Sequence, residues 1–162
     1  MLVKIINGDL NNGDGLRVSI WFSGCDFKCK GCHNRELWDK KLGRRFTTED
    51  RDLIRTFLSD DYVDGLSILG GEPLSKYNLI SLKYHLPNLY EFAHKNNKDV
   101  WLWTGYTMEE IMADDKIRPI LDFVDVIITG RFVEELKGDY KYFGSSNQIM
   151  YKKINKIFVR QN

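Results

Sequence analysis

The chain has three cysteines, and all fall in one eight-residue run, Cys25-Asp-Phe-Lys-Cys29-Lys-Gly-Cys32. Three thiolates at this C-x3-C-x2-C spacing can grip three irons of a 4Fe-4S cluster and leave the fourth iron open to an outside ligand. An open iron points to catalysis rather than electron storage. Other chemistry fits parts of the same run, because cysteine spacing alone is ambiguous. Cys29-Lys-Gly-Cys32 has the spacing of a redox dithiol, but the residues after it lack the apolar helical period that such a pair normally precedes. With His33 it spells the C-x-x-C-H of covalent haem attachment, which leaves Cys25 without a role. Haem attachment also calls for export, and Met1-Leu-Val-Lys-Ile-Ile lacks the pattern of a secretory signal. Zinc held by the three cysteines and His33 requires two adjacent residues to reach one ion, whereas zinc ligand pairs are typically separated by two or more residues. A zinc-stabilised binding module without catalysis is the competing reading.

The composition sets the frame for this loop. A length of 162 residues is that of one domain, spanning 1-162 and able to bury roughly 70% of its unfolded surface without metal or disulfide staples. Lys plus Arg total 24 against 23 for Asp plus Glu, a net charge of +1 that makes no electrostatic case for a nucleic acid or an anionic membrane as partner. No run of eighteen apolar residues is present, so no membrane span is expected, and a cytoplasmic location follows from the missing signal. The basic residues Lys152, Lys153, Lys156 and Arg160 alternate with Ile154, Ile157 and Val159, which reads as the solvated face of a final strand.

Strand and helix signals alternate along the chain. Leu2 to Ile6 and Arg17 to Phe22 are β-rich runs flanking Asn11-Asn12-Gly13-Asp14-Gly15, whose Asn-Gly and Asp-Gly steps favour positive-φ turns, so an opening strand pair is expected. The cysteine loop follows directly. A helix then starts at Thr47, with Asp50 completing a capping box, Phe46 as a staple, and Leu53, Ile54, Phe57 and Leu58 as the buried stripe. Leu66 to Leu69 is a short strand, Tyr77 to Lys95 a helix interrupted or restarted at Pro87, and Val100 to Trp103 a further strand. Thr107-Met-Glu-Glu110 is a capping box opening a helix through Leu121, followed by strands at Val124 to Ile128 and Lys156 to Arg160. Four or five βα units with short loops argue for an α/β fold of parallel βαβ crossovers.

Chemistry in such folds collects at the carboxyl ends of the strands. The cysteines follow the strand ending at Phe22, Gly70-Gly71-Glu72-Pro73 the strand ending at Leu69, and Thr104-Gly105-Tyr106 the strand ending at Trp103. Three loops therefore converge on one rim. Gly70 and Gly71, lacking side chains, let main-chain groups approach a ligand closely. Nothing pairs His33, His85 or His94 with a nucleophile, so no acid–base constellation competes.

Nearly the whole chain resembles the radical S-adenosyl-L-methionine (SAM) enzymes of the glycyl-radical-activating group. Asp14-Gly-Leu-Arg17, Phe22-Ser-Gly-Cys25, Cys29-Lys-Gly-Cys32, Asn34 and Trp38 are similar to the opening block of that family, and Leu69-Gly-Gly-Glu-Pro-Leu74 to its SAM-binding loop. Asp125 to Phe132 and Gly144-Ser-Ser-Asn-Gln148 look like segments of the branch that activates the anaerobic ribonucleoside-triphosphate reductase. Cys32-His-Asn-Arg35 and Trp38-Asp39 are shared with pyruvate formate-lyase activators, which are expected to be considerably longer.

The resemblance implies a shortened, open partial (β/α) barrel of the radical SAM type, its open side admitting a peptide loop. It implies a 4Fe-4S cluster on Cys25, Cys29 and Cys32, and SAM bound around Gly31, Cys32, His33, Gly70, Gly71 and Glu72. Reductive cleavage of SAM would yield a 5'-deoxyadenosyl radical that takes hydrogen from a glycine of the large reductase subunit. A low-potential electron donor such as flavodoxin or ferredoxin is the implied second partner. Two positions depart from the family pattern. Gly31 stands where many members have an aromatic residue, leaving His33 as a candidate contact for the adenine, and Phe143 stands where an arginine is expected. Lys28 and Lys30 would raise the cluster potential if they point at it.

Overall fold

A computed structural model describes all of residues 1–162. A seven-stranded sheet runs in chain order: β1 (Leu2–Asp9), β2 (Arg17–Phe22), β3 (Gly65–Gly70), β4 (Asp99–Trp103), β5 (Val126–Thr129), β6 (Ile149–Ile154) and β7 (Ile157–Arg160). Strands β2 to β5 are parallel, with Phe22 beside Gly70 and Leu66 beside Val100, while β1, β6 and β7 pair antiparallel at the two sides. Three crossovers carry α1 (Thr48–Leu58), α2 (Leu79–Lys95) and α3 (Met108–Ala113). Each crossover advances one strand in the same direction, so right-handed connections put all three helices on one face.

The period-2 alternation of the strands sorts their side chains accordingly. Val18, Ile20, Phe22, Leu66, Ile68, Val100, Leu102 and Ile127 pack in the main core with Ile54 and Leu58 of α1, Leu82, Leu86 and Leu89 of α2, and Ile111 of α3. The intervening residues Trp101, Val126 and Ile128 form a second cluster with Trp103, Tyr142, Phe143 and Met150. Residues 130–148 thus cover the face that has no helices. Arg17 lies on this face with 1% exposure. Its guanidinium donates to Ser67 Oγ at 2.6 Å, Leu66 O at 3.0 Å and Asp99 Oδ1 at 2.7 Å, and lies 5.1 Å from the Trp101 ring centroid. A buried charge with this many acceptors locks three parallel strands together.

Several expectations are corrected. Helix α2 runs unbroken through Pro87, because Leu82, Leu86, Leu89 and Ala93 bury one continuous stripe across the proline. The helix opened by the Thr107 capping box ends at Ala113. Asp114 leaves the helical region (φ −102°, ψ 106°), and Arg118–Phe123 forms a separate 3-10 segment with Pro119 in its first turn. The stripe of α1 omits Leu53, which is 43% exposed, and includes Asp50, held by Arg44. The chain has three βα crossovers rather than four or five. The C-terminal basic run is a hairpin of two strands turning at Asn155 and Lys156, both at positive φ, as a tight hairpin turn requires. The sheet is open, with no pairing between its first and last strands, and residues 130–148 lie over one side of it, their Tyr142 hydroxyl and Lys141 ammonium both donating to Asp14. No helix is long and apolar enough to cross a membrane.

Candidate functional site

Strand β2 runs straight into the cysteine loop, and main-chain bonds fix where that loop begins. Gly24 N–H donates to Leu37 O at 2.8 Å and Cys25 N–H to Trp38 O at 3.2 Å, so the 3-10 turn Arg35–Trp38 folds back against the strand end. Lys28 (φ 50°) and Gly31 (φ 71°) reverse the chain between the cysteines, and Cys32 N–H donates to Cys29 O. All three cysteines consequently line one cavity of about 470 Å³. Cys25 is buried and the other two are half-buried; none is in a disulfide. Burial pushes the Cys25 and Cys29 thiols up. Nearby main-chain groups of Phe27 and Lys28 favour the Cys25 thiolate and those of Phe132 the Cys29 thiolate, pulling the other way.

Gly70 and Gly71 line the same cavity. Gly70 adopts φ 129°, and a side chain there would collide with the Phe22 carbonyl. A Cβ on Gly71 would come 2.6 Å from Leu37 O and 3.4 Å from Cys25 Cβ. Both glycines therefore let β3 and its loop press against the start of the cysteine loop. Glu72 also lines the cavity, yet its carboxylate is occupied by the protein: Oε1 accepts from Leu74 N at 2.8 Å and Thr104 Oγ1 at 2.8 Å, and Oε2 from Gly105 N at 2.7 Å. Its role is to tie the loop after β3 to the loop after β4. Burial pushes this carboxyl up to about 7 against the pull of its three donors. Asn78 adds a second stitch, donating to Ser23 O at 2.8 Å and Glu72 O at 2.9 Å.

The expected cluster- and cofactor-binding residues line this cavity, with one exception. His33 lines the cavity with its ring 6.3 Å from Phe132, but Gly31 does not, because its Cα faces the Glu134 carboxylate, 2.7 Å from where a Cβ would lie. Lys28 and Lys30 are also outside the lining, and Lys30 pairs with Glu134 and Glu135. Phe143 lines the cavity, stacked on Tyr140 at 5.1 Å. The polar run that follows closes on itself: Gln148 Oε1 accepts from the amides of Gly144 and Ser145, and Gln148 Nε2 donates to Gly130 O.

Sequence reasoning missed two parts of the wall. Arg131 and Phe132 lie just beyond β5, at the same strand end that located Gly70 and Thr104, so the strand-end rule extended one strand further finds them. Phe27, inside the C-x3-C spacing, packs against Gly105, sits edge-on to Tyr106 at 4.9 Å, and carries the Arg131 guanidinium 4.3 Å from its ring centroid. The sequence offers no signal for that contact, because the partners are 78 and 104 residues away.

The chain matches a family described as a 4Fe-4S single cluster domain over residues 11–151. It is similar to proteins named anaerobic ribonucleoside-triphosphate reductase-activating protein. That of Enterobacteria phage T4 is 36% identical over 96% of this chain and 96% of the relative. Those of Pasteurella multocida and Vibrio cholerae are 39% and 35% identical, each over 89% of this chain and 92% of the relative.

Proposed function

This chain belongs to the 4Fe-4S single cluster domain family, among the anaerobic ribonucleoside-triphosphate reductase-activating proteins, and we propose that it activates that reductase. When bound, a 4Fe-4S cluster supplies the electron for reductive cleavage of SAM, whose 5'-deoxyadenosyl radical takes hydrogen from a glycine of the large reductase subunit. The observation that carries this reading is the single cavity lined by all three thiols together with Gly70 and Gly71.

The residues present fit such a cluster. Cys25, Cys29 and Cys32 would hold it, and the cavity contains no fourth thiol to close the remaining iron. Main-chain groups of Phe27, Lys28 and Phe132 near the sulfurs favour the thiolate form that a cluster requires of its ligands. Gly70 and Gly71 would present main-chain groups to the amino and carboxylate ends of SAM, and His33 and Phe132 would border its adenine. Glu72 acts through the loops it ties, holding the loop that follows the glycines against the loop after β4. Residues 130–148, which supply part of the cavity lining, would restrict water around a bound cofactor, a protein contribution that limits side reactions.

The parallel strands β2 to β5, with helices on one face and the site at their carboxyl ends, support a shortened partial (β/α) barrel of the radical SAM type. A low-potential donor of the flavodoxin or ferredoxin kind would deliver the electron near the half-buried Cys29 and Cys32. Free thiols suit the cytoplasm, where disulfides are rare.

The test is anaerobic purification followed by mixing reduced protein, SAM and the reductase large subunit under electron paramagnetic resonance. A brown protein with about four irons and four sulfides, producing a glycyl doublet on the reductase, is the expected result. Colourless, zinc-bound, folded protein would overturn the proposal, and a doublet only on pyruvate formate-lyase would redirect it to that partner.

A further inference from the structure

Positive charge is unevenly spread along the chain. Residues 28–45, which run from the middle of the cysteine loop to just before α1, hold seven Lys or Arg against two acidic residues, while all other residues hold 17 against 21. A protein of net charge +1 therefore carries one strongly basic segment on an otherwise acidic body. Two of the seven are engaged in ion pairs, Lys30 with Glu134 and Glu135 and Arg44 with Asp50. Lys28, Arg35, Lys40, Lys41 and Arg45 are exposed and pair with no carboxylate of the chain. Carboxylates arriving on another protein would displace no existing ion pair at these five.

Part of this charge gathers around two aromatic rings beside the site. The Arg35 guanidinium lies 5.2 Å from the ring centroid of Trp38, a residue of the cavity wall. Lys40 Nζ lies 4.7 Å from the Tyr77 centroid and Lys76 Nζ 5.0 Å from it, and the Tyr77 hydroxyl donates to Asp26, next to Cys25. Gly24 is tight against both neighbours: a Cβ there would come 2.9 Å from the Tyr77 ring and 3.3 Å from Lys40 Cβ. The basic surface thus abuts the main chain that leads into the cysteine loop. Ile80 follows three residues after Tyr77 and Tyr84 four further on; they are 83% and 72% exposed, and both line a cleft of about 400 Å³ with Arg45. An exposed apolar strip with a charged rim is the anatomy of a protein interface. Apart from Trp38, none of these residues lines the cavity that holds the cysteines.

Resting on the cluster assignment above, we infer that this surface, from Arg35, Lys40 and Lys41 to Ile80, Tyr84 and Arg45, docks a one-electron carrier protein whose own redox centre is ringed by carboxylates. Two observations select that occupant. Five unpaired cations call for an acidic partner, since complementary charge steers encounter and fixes orientation. Contact with Gly24 and Trp38 brings that partner to the protein side of the cysteine loop, rather than into the cavity that the reductase glycine must reach. One electron leaves the reduced carrier and enters the cluster, with no bond made or broken. The carrier and SAM do not compete for space, so reduction proceeds with the cavity filled.

The experiment is stopped-flow reduction of anaerobically prepared, cluster-loaded protein by a reduced acidic ferredoxin at low salt, where surface charge is least screened. Photoreduced deazaflavin, a small molecule that needs no docking surface, serves as the second reductant. The triple variant Lys40→Glu, Lys41→Glu, Arg45→Glu should take electrons from ferredoxin about tenfold more slowly and lose much of the salt dependence, while its deazaflavin rate stays at wild type. The triple variant Lys152→Glu, Lys156→Glu, Arg160→Glu makes the same change of net charge on the β6–β7 hairpin and should stay within about twofold of wild type on ferredoxin. A ferredoxin rate unchanged in the first variant, or lowered equally in both variants or for both reductants, overturns the inference and leaves the cluster assignment standing. So does a first variant that takes electrons normally yet forms less glycyl radical, which gives the surface to the reductase. Wild-type protein that carries no cluster removes both. If the first variant fails to load iron, carbodiimide cross-linking of wild-type protein to ferredoxin decides. Bonds at Lys40, Lys41 or Lys76 support the docking surface, and bonds confined to other lysines, or none, overturn it.

Discussion

The two walls of the cavity are built on opposite principles. On the late wall, residues 130–148, several polar side chains are engaged by the protein itself. Gln148 clamps Gly130, Gly144 and Ser145, Asn147 donates to Arg131 O at 2.8 Å, and Tyr142 joins Asp14 by its hydroxyl and Trp103 by its carbonyl. On the cysteine wall, three thiols in no disulfide line the cavity and are left for a ligand. Unengaged polar atoms cost stability, so a fold concentrates them where binding gives the energy back. The cysteine wall is therefore the chemical surface, and the late wall gives the cavity its shape.

The largest effect should come from striking the chemical wall. Cys29→Ala removes one of three cluster ligands, and anaerobically prepared protein should lose its iron and all SAM cleavage under strong reductant. Far-ultraviolet circular dichroism should nonetheless match wild type, because the core beneath α1, α2 and α3 contains no cysteine. Retained cleavage would remove the cluster assignment. Next comes the residue that ties the walls' supports together. In Glu72→Gln, the amide nitrogen must face a donor, either Gly105 N–H or the pair Leu74 N–H and Thr104 O–H. This near-isosteric change should cost about 1–3 kcal/mol in thermal or denaturant unfolding. A neutral result would mean that the loops after β3 and β4 hold each other without the carboxylate.

The same division explains what could be read in advance. The Thr47 and Thr107 capping boxes and the strand Arg17 to Phe22 are local signals, and each appears where the residues put it. The cysteine loop and Gly70-Gly71 were legible as a rim because one topological rule places strand ends together. Helix α2 was misread at Pro87 because long-range burial outweighed the local loss of one N–H. Strand β6 went unseen because its half-buried, mixed side chains carry little periodicity, and its place comes from pairing with β5. Glu72 was expected to bind cofactor, and only the donors brought by Leu74, Thr104 and Gly105 reveal it as a tie between loops.

Perturbing the late wall should have smaller and separable effects. Gln148→Ala leaves the Gly144 and Ser145 amides and the Gly130 carbonyl without their partner, a loss of about 1–2 kcal/mol for half-buried groups. Amide exchange at Gly144 and Ser145 should quicken while iron content stays at the wild-type level. Lost iron would show that the late wall contributes to cluster retention after all.

Asp14→Asn is the mildest cut, removing the carboxylate that receives Tyr142 and Lys141 across the sheet face. Both charged partners are mostly exposed, and exposed ion pairs are screened by water and salt, so melting should stay within about a degree of wild type. The loop keeps two other anchors, the Trp103 indole on Tyr142 O and the Gly138 amide on Gly144 O at 3.2 Å. Amide exchange across residues 138–144 should rise only slightly. A drop of several degrees, or exchange as fast as in an unfolded peptide, would mean that the late wall is hung from Asp14. Its internal bonds would then not be what shapes the cavity, and the contrast between a self-satisfied wall and a ligand-seeking one would fail at the tether.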